Sequence, residues 1–124
     1  MQNPSFPMLN TLRRLPRFTD FSERQLLPVA ENVGRQKYEE GAVIFCEGDA
    51  CGELLIVEEG NVREVKSAPD GRQPLIGIER RGNSLAEVAV FDGRRHPASA
   101  EARSPVIVLR LPAEKIWKHL PAES

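Results

Sequence analysis

The feature that most limits what this chain can become is its punctuation between Gln36 and Leu111. There the sequence breaks into short runs rich in Val, Ile and Leu, separated by Glu40-Gly41, Gly48-Asp49, Glu59-Gly60-Asn61, Asp70-Gly71 and Arg81-Gly82-Asn83. Glycine, Asn and Asp tolerate the backbone angles that reverse a chain, and spacings of about 8 to 12 residues leave room for one short strand between reversals. The pattern predicts an antiparallel sandwich or barrel of roughly eight strands. Ala68-Pro69-Asp70-Gly71-Arg72 carries the sharpest hairpin signal, because Asp-Gly supplies the positive φ values of a primed turn.

Outside this stretch the period changes. Leu9-Asn10-Thr11-Leu12-Arg13-Arg14-Leu15 has helical spacing, and Ser22 followed three residues later by Gln25 reads as a capping box opening a helix through about Asn32. Pro112 is placed for the first turn of a terminal helix over Ala113 to Leu120, which Pro121 stops. The expected organisation is one mainly β domain over 1–124: an N-terminal helical segment over 1–35, a β-roll over 36–111 and a terminal helix over 112–120. A chain of 124 residues that is 40% hydrophobic can bury a core of its own. It has no apolar run long enough to span a bilayer, and Met1 to Pro7 lack the basic and apolar regions of a secretory signal. A cytoplasmic location without membrane association is expected. Charge argues against a nucleic-acid surface, since 17 Lys and Arg are interleaved with 18 Asp and Glu rather than clustered.

One stretch carries more specific information. Leu85-Ala86-Glu87-Val88-Ala89-Val90-Phe91-Asp92-Gly93-Arg94-Arg95-His96-Pro97-Ala98-Ser99-Ala100-Glu101-Ala102 resembles the phosphate-binding cassette of the Crp/Fnr regulators, roughly F-G-E-[LI]-A-L-x-x-G-x-P-R-[AST]-A-[TS]-V-x-A. Gly41 to Asp49 resembles the family's G-x-x-[IL]-[FI]-x-E-G-D, and Leu12 to Phe18 and Leu54 to Val62 match further segments in the same order. The resemblance covers residues 9 to 120 and implies an antiparallel double-stranded β-helix, a jelly-roll-like β-roll flanked by N- and C-terminal helices, with a short helical turn starting near Ala86. It also implies that Glu87 matches the glutamate accepting from a ribose hydroxyl, Gly93 the turn glycine, and Ala98 and Ser99 the A-[TS] pair. Two departures matter. Ala86 replaces the glycine before the glutamate, and His96-Pro97 replaces the arginine and its small neighbour.

Arginine offers a planar fork of donors that stays charged, whereas histidine is mostly neutral near pH 7 and donates at most one N-H from each nitrogen. The chain is therefore expected to bind cyclic AMP and cyclic GMP weakly or not at all, and no cofactor is expected. Arg94 and Arg95 precede the site in a tight turn and point elsewhere. Glu64 falls where the family carries an apolar pocket residue and shares strand parity with Val62, so it would add a second carboxylate to the pocket. The alternative is a solvent-facing residue on a mixed strand. Glu87 likewise has two readings, ribose acceptor or a helix-start residue favoured by the helix dipole. The candidate pocket comprises Glu64, Ile76, Ala86, Glu87, Val88, His96, Pro97, Ala98 and Ser99.

Cys46 and Cys51 are expected to be free thiols, with a local disulfide or redox switch as the alternatives. A zinc site needs three or four ligands and only His96 and His119 are available besides, so no metal is expected; residues 1 to 35 contain no cysteine, which excludes the family's iron-sulfur sensing. His96 reads as a partly exposed turn residue, or alternatively as a haem ligand or pH sensor. Trp117 and Phe18 read as packing between the terminal helices and the roll.

The resemblance implies the effector-sensing domain of a Crp/Fnr-like transcription regulator, with a small-molecule effector as partner. DNA contact would fall to a domain absent from this chain, and a homodimer is expected of a full-length protein. The alternatives are a stand-alone or fused β-roll scaffold, or a cupin-like enzyme; cupins need a histidine pair two residues apart, which this chain lacks, so catalysis is not expected.

Overall fold

The computed structural model describes residues 6–120. Eight strands form two four-stranded antiparallel sheets. The first has the order β1-β8-β3-β6, from Gly34–Tyr38, Val106–Pro112, Glu53–Glu59 and Ser84–Leu85; the second has the order β2-β7-β4-β5, from Val43–Phe45, Ser99–Ala102, Val62–Val65 and Leu75–Glu79. Helices α1 (Phe6–Arg13) and α2 (Glu23–Ala30) precede the roll, α3 (Glu87–Asp92) interrupts it, and α4 (Ala113–His119) follows it.

The central strands β3 and β8 of the first sheet are buried on both faces. Leu54 and Ile56 of β3, with Leu109 and Leu111 of β8, pack against Leu9, Leu12, Phe18, Leu26, Val29 and Ile116 of the helical layer. The alternate residues Leu55 and Val57, with Val106 and Val108, face the other way and meet Phe45, Val62, Ala100 and Ala102 inside the roll. That is why Leu54 to Val57 is an unbroken apolar run: successive strand residues point to opposite faces, and here neither face is wet. At about 25 cal/mol per Å² each such side chain contributes about 1.5 to 3 kcal/mol, so this strand pair alone outweighs any surface ion pair in the molecule.

The local signals mostly form as the sequence predicts, with differences. Ser22 caps α2 through the expected reciprocal pair, its Oγ accepting from Gln25 N-H at 3.2 Å and its N-H donating to Gln25 Oε1 at 2.9 Å. The helix ends at Ala30 rather than near Asn32, whose side-chain amide instead donates to the Pro28 carbonyl at 2.7 Å. Pro112 is the last residue of β8 and the N-cap of α4, not its first turn. Pro121 lies outside the described residues.

The 68–72 hairpin is not a primed turn. Gly71 has φ +85, but Asp70 does not share a positive φ, and the Gly71 N-H donates to the Ala68 carbonyl at 3.0 Å. Pro69 fixes a negative φ that a primed turn cannot accept, so the chain makes a three-residue loop in which Gly71 alone takes the left-handed position.

Leu109→Ala should lower unfolding free energy in urea by about 2 to 5 kcal/mol, while Val88→Ala, on the exposed side of α3, should change it by less than about 0.5 kcal/mol. Similar losses for both would contradict the double-faced burial of β3 and β8.

Candidate functional site

Three segments converge at one end of the roll: the β2–β3 turn, the α3 segment and the loop that leads into β7. The last is stitched to the first by backbone, since His96 N-H donates to the Asp49 carbonyl at 2.9 Å and Gly48 N-H donates to the His96 carbonyl at 2.9 Å. Arg95 adds a side-chain bond to the Gly48 carbonyl at 2.9 Å. Arg94 has Asp92 at 3.7 Å. Neither guanidinium therefore takes the place of the missing arginine. Arg110, in the row Gly34–Arg110–Leu55–Leu85 across the first sheet, is engaged too, its Nε donating to Glu53 Oε2 at 3.1 Å.

His96 is not the partly exposed turn residue that the sequence suggests. It is 6% exposed, the one buried polar or charged residue among those described, and its ring stacks on Phe45 with centroids 3.7 Å apart and planes 14° from parallel. Burial holds its pKa below the ordinary value, which Asp49 only partly offsets, so the imidazole is neutral at physiological pH. Its Nδ1 has no hydrogen-bond partner. Nor has the buried Glu87 Oε1, whereas Glu87 Oε2 accepts from Ser84 Oγ at 3.0 Å. An unpaired buried polar atom costs about 1 to 3 kcal/mol.

Glu64 faces the inside of the roll. On β4 it alternates with Val62, which is fully buried, and it pairs with Ala100 of β7, also fully buried. On its other side it opposes Gly77 of β5, and Glu79 comes alongside as the diagonal neighbour. Loss of hydration and the adjacent Glu79 push the Glu64 carboxyl up to about 7, so Glu64 is part-protonated near neutrality. Asn83 Nδ2 donates to Glu79 Oε2 at 2.9 Å and keeps that partner in place.

The remaining expected site residues divide. Ala98 is buried, and Ser99 is spent on structure, its Oγ accepting from the Glu47 N-H at 2.8 Å. Pro97 is exposed. Ile76 and Val88, expected among the pocket residues, are 54% and 62% exposed. A register shift opposite Glu64 and Val65 leaves Ile76 without a cross-strand partner, and Val88 lies on the solvent side of a helix anchored through Ala89 and Val90. Ala86 holds φ 55 and ψ 35, the left-handed geometry that the glycine of the pattern serves. Phe45, Gly77 and Glu79 were not singled out in the sequence. Phe45 sits in a recognisable motif, but nothing in spacing reveals that a histidine 51 positions later lies on its ring. Cys46 and Cys51 are both unpaired, and Trp117, 44% exposed, meets Phe91 edge-on with centroids 5.4 Å apart. Among the described residues no helix is long and apolar enough to cross a membrane.

This geometry comes with likenesses to known proteins. Residues 35–121 match the sequence profile of the cyclic nucleotide-binding domain. The chain is 31% identical over 77 residues to the CRP-like cAMP-activated global transcriptional regulator of Mycobacterium tuberculosis, a match covering 62% of this chain and 31% of that protein. It thus spans about a third of the length of that relative. The N-terminal domain of a transcriptional regulator from Streptomyces coelicolor superposes with a TM-score of 0.79 at 26% identity, over 89% of this chain and 79% of that one. The sensor domain of the transcriptional regulator DNR from Pseudomonas aeruginosa shares the fold with a TM-score of 0.81 at 20% identity, over 93% of this chain and 77% of that one.

Two outcomes test the site's strain and charge. Ala86→Gly should stabilise the domain by about 1 kcal/mol in chemical denaturation, because a side chain in the left-handed region costs about that much. A carboxyl whose folded pKa stands above its unfolded value stabilises the fold below the unfolded value, and that contribution is lost as pH rises through the folded one. Glu64→Gln should therefore match the parent near pH 4 and exceed it above pH 7 by about 1 kcal/mol, a discounted figure because Glu64 stays half-hydrated. A gap that does not change with pH would mean that the Glu64 carboxyl is not raised in the folded protein.

Proposed function

Because the chain belongs to the cyclic nucleotide-binding domain family, we propose that it is the effector-sensing domain of a Crp-like transcription regulator whose site no longer holds cyclic AMP or cyclic GMP tightly. One observation carries this reading: where the family's arginine would stand, a neutral histidine is turned inward onto Phe45. An exocyclic phosphate must shed its hydration shell to enter such a site, and a charge-assisted bidentate bond compensates that loss. Here the neighbouring guanidiniums are committed to Gly48, Asp92 and Glu53, and the acidic side chains of Glu64 and Glu87 offer a phosphate no positive charge.

The regulator reading extends to a homodimer in the cytoplasm that reaches DNA through a separate domain, and to a domain that transmits a signal and catalyses nothing. A second reading, a β-roll scaffold that binds no effector, draws support from the same His96, since a ring stacked on Phe45 occupies part of the interior.

Titration calorimetry with cyclic AMP and cyclic GMP tests the ligand half of the proposal. Loss of the bidentate contact is worth about 2 to 4 kcal/mol, so affinity should fall roughly 30- to 1,000-fold below that of a site with the arginine. Low-micromolar binding by the parent chain would overturn it. Restoring the pattern with His96→Arg, Pro97→Ser and Glu64→Val together should give measurable cyclic-nucleotide binding and a ligand-dependent rise in Tm. His96→Arg alone should do less, since Pro97 lacks the backbone N-H that a small residue would supply. A folded triple variant with no thermal shift at millimolar nucleotide would favour the scaffold.

A further inference from the structure

Phe45 on β2, Ala100 on β7, Glu64 on β4 and Gly77 on β5 form one cross-strand row on the inner face of the second sheet. Adjacent strands lie about 4.8 Å apart, so the Phe45 and Glu64 backbones stand about 10 Å apart with only the Ala100 methyl between them. Above Gly77, Oε1 atoms of Glu64 and Glu79 each lie 3.9 Å from where a Cβ would be. The row is a floor of small residues. At one end the wall is aromatic, with His96 lying on Phe45, and at the other it is acidic. Ala86 packs onto the same inner core, and Glu87 follows it as the first residue of α3.

The chemistry of these walls is one-sided. Glu87 Oε1 and His96 Nδ1 are buried and unpartnered, and the histidine that carries the latter is 6% exposed. The charged group beside Glu64 is Glu79, and the Arg63–Glu101 pair, at 3.5 Å, belongs to the opposite face of the same sheet. A buried carboxyl oxygen and a buried ring nitrogen without partners, with Glu64 and Glu79 on the floor, suit a group that donates hydrogen bonds.

Resting on the effector-site reading above, we propose that this floor is the subsite of a small organic cation, whose ammonium or amidinium N-H groups donate to Glu87, to the Glu64–Glu79 pair and to His96. Such bonds are charge-assisted and exchange an unfavourable carboxylate contact for a favourable one. A cation beside Glu64 favours its ionised form and releases its proton. Binding accordingly tightens as pH rises through neutrality.

The experiment is calorimetry and amide NMR on the parent chain with agmatine and putrescine, with 1,4-butanediol as the neutral control and cyclic AMP as the anionic one, near pH 6 and near pH 8. Agmatine or putrescine should saturate the site about tenfold or more tighter than the diol, and about threefold or more tighter at the higher pH. Amide shifts should centre on Glu64, Ala100 and Glu87. Glu64→Gln and Glu87→Gln should each weaken binding about fivefold or more, as should His96→Phe, which keeps the stack and removes Nδ1; circular dichroism and Tm establish that each variant is folded. Amines that bind no better than the diol, shifts centred elsewhere, or variants that bind as the parent does would overturn the proposal. Absence of both amine and cyclic AMP binding sinks this inference alone, whereas low-micromolar cyclic AMP binding sinks the proposed function with it.

Discussion

The whole molecule hangs on a pair of strands that is dry on both sides. β3 and β8 pair over six residue positions from Glu53–Pro112 to Glu59–Ile107, and their side chains are shared between a helical layer on one face and the roll interior on the other. Neither core is large alone, but each is closed by the same strands, so a loss in one loosens the other. Close packing transmits strain rather than absorbing it. This is why α3, whose Val90 joins the helical core while Ala86 at its start joins the inner one, sits at a fixed place relative to both.

That fixed place determines the chemistry of the site. α3 begins at Glu87, the backbone bonds between Gly48, Asp49 and His96 pull the loop before β7 across the β2–β3 turn, and cross-strand register delivers Glu64 and Glu79 to the inside. Two groups at this end of the roll are held away from their ionised forms: burial and Glu79 raise the Glu64 carboxyl, and burial lowers the pKa of the imidazole stacked on Phe45. Ala86 is strained as well, since the backbone keeps the left-handed bend that the family's glycine serves although no glycine is present.

Much of the fold could be read before any coordinates. The turn pairs located the strand boundaries, Ser22 and Gln25 located the start of α2, and the cassette pattern located α3 to within a residue. Details set by competition between neighbouring residues were less legible: Pro69 overruled the Asp-Gly turn, and the bulge on β5 turned Ile76 out to 54% exposure. In the site, strand parity with Val62 pointed Glu64 to the inner face, with a solvent-facing position as the alternative. Its partner could not, because Glu79 becomes a neighbour only through the pairing register of β4 with β5.

The sequence by itself determined the class of fold, the order of its elements and the absence of an arginine at the phosphate position, because these depend on residue type, local period and spacing along the chain. Only the tertiary structure decided where His96 lies, which carboxyl has its pKa raised and which guanidiniums are already engaged. The reason is physical. Burial, stacking and desolvation arise between groups tens of residues apart, and their sign depends on a few ångströms that no local pattern encodes.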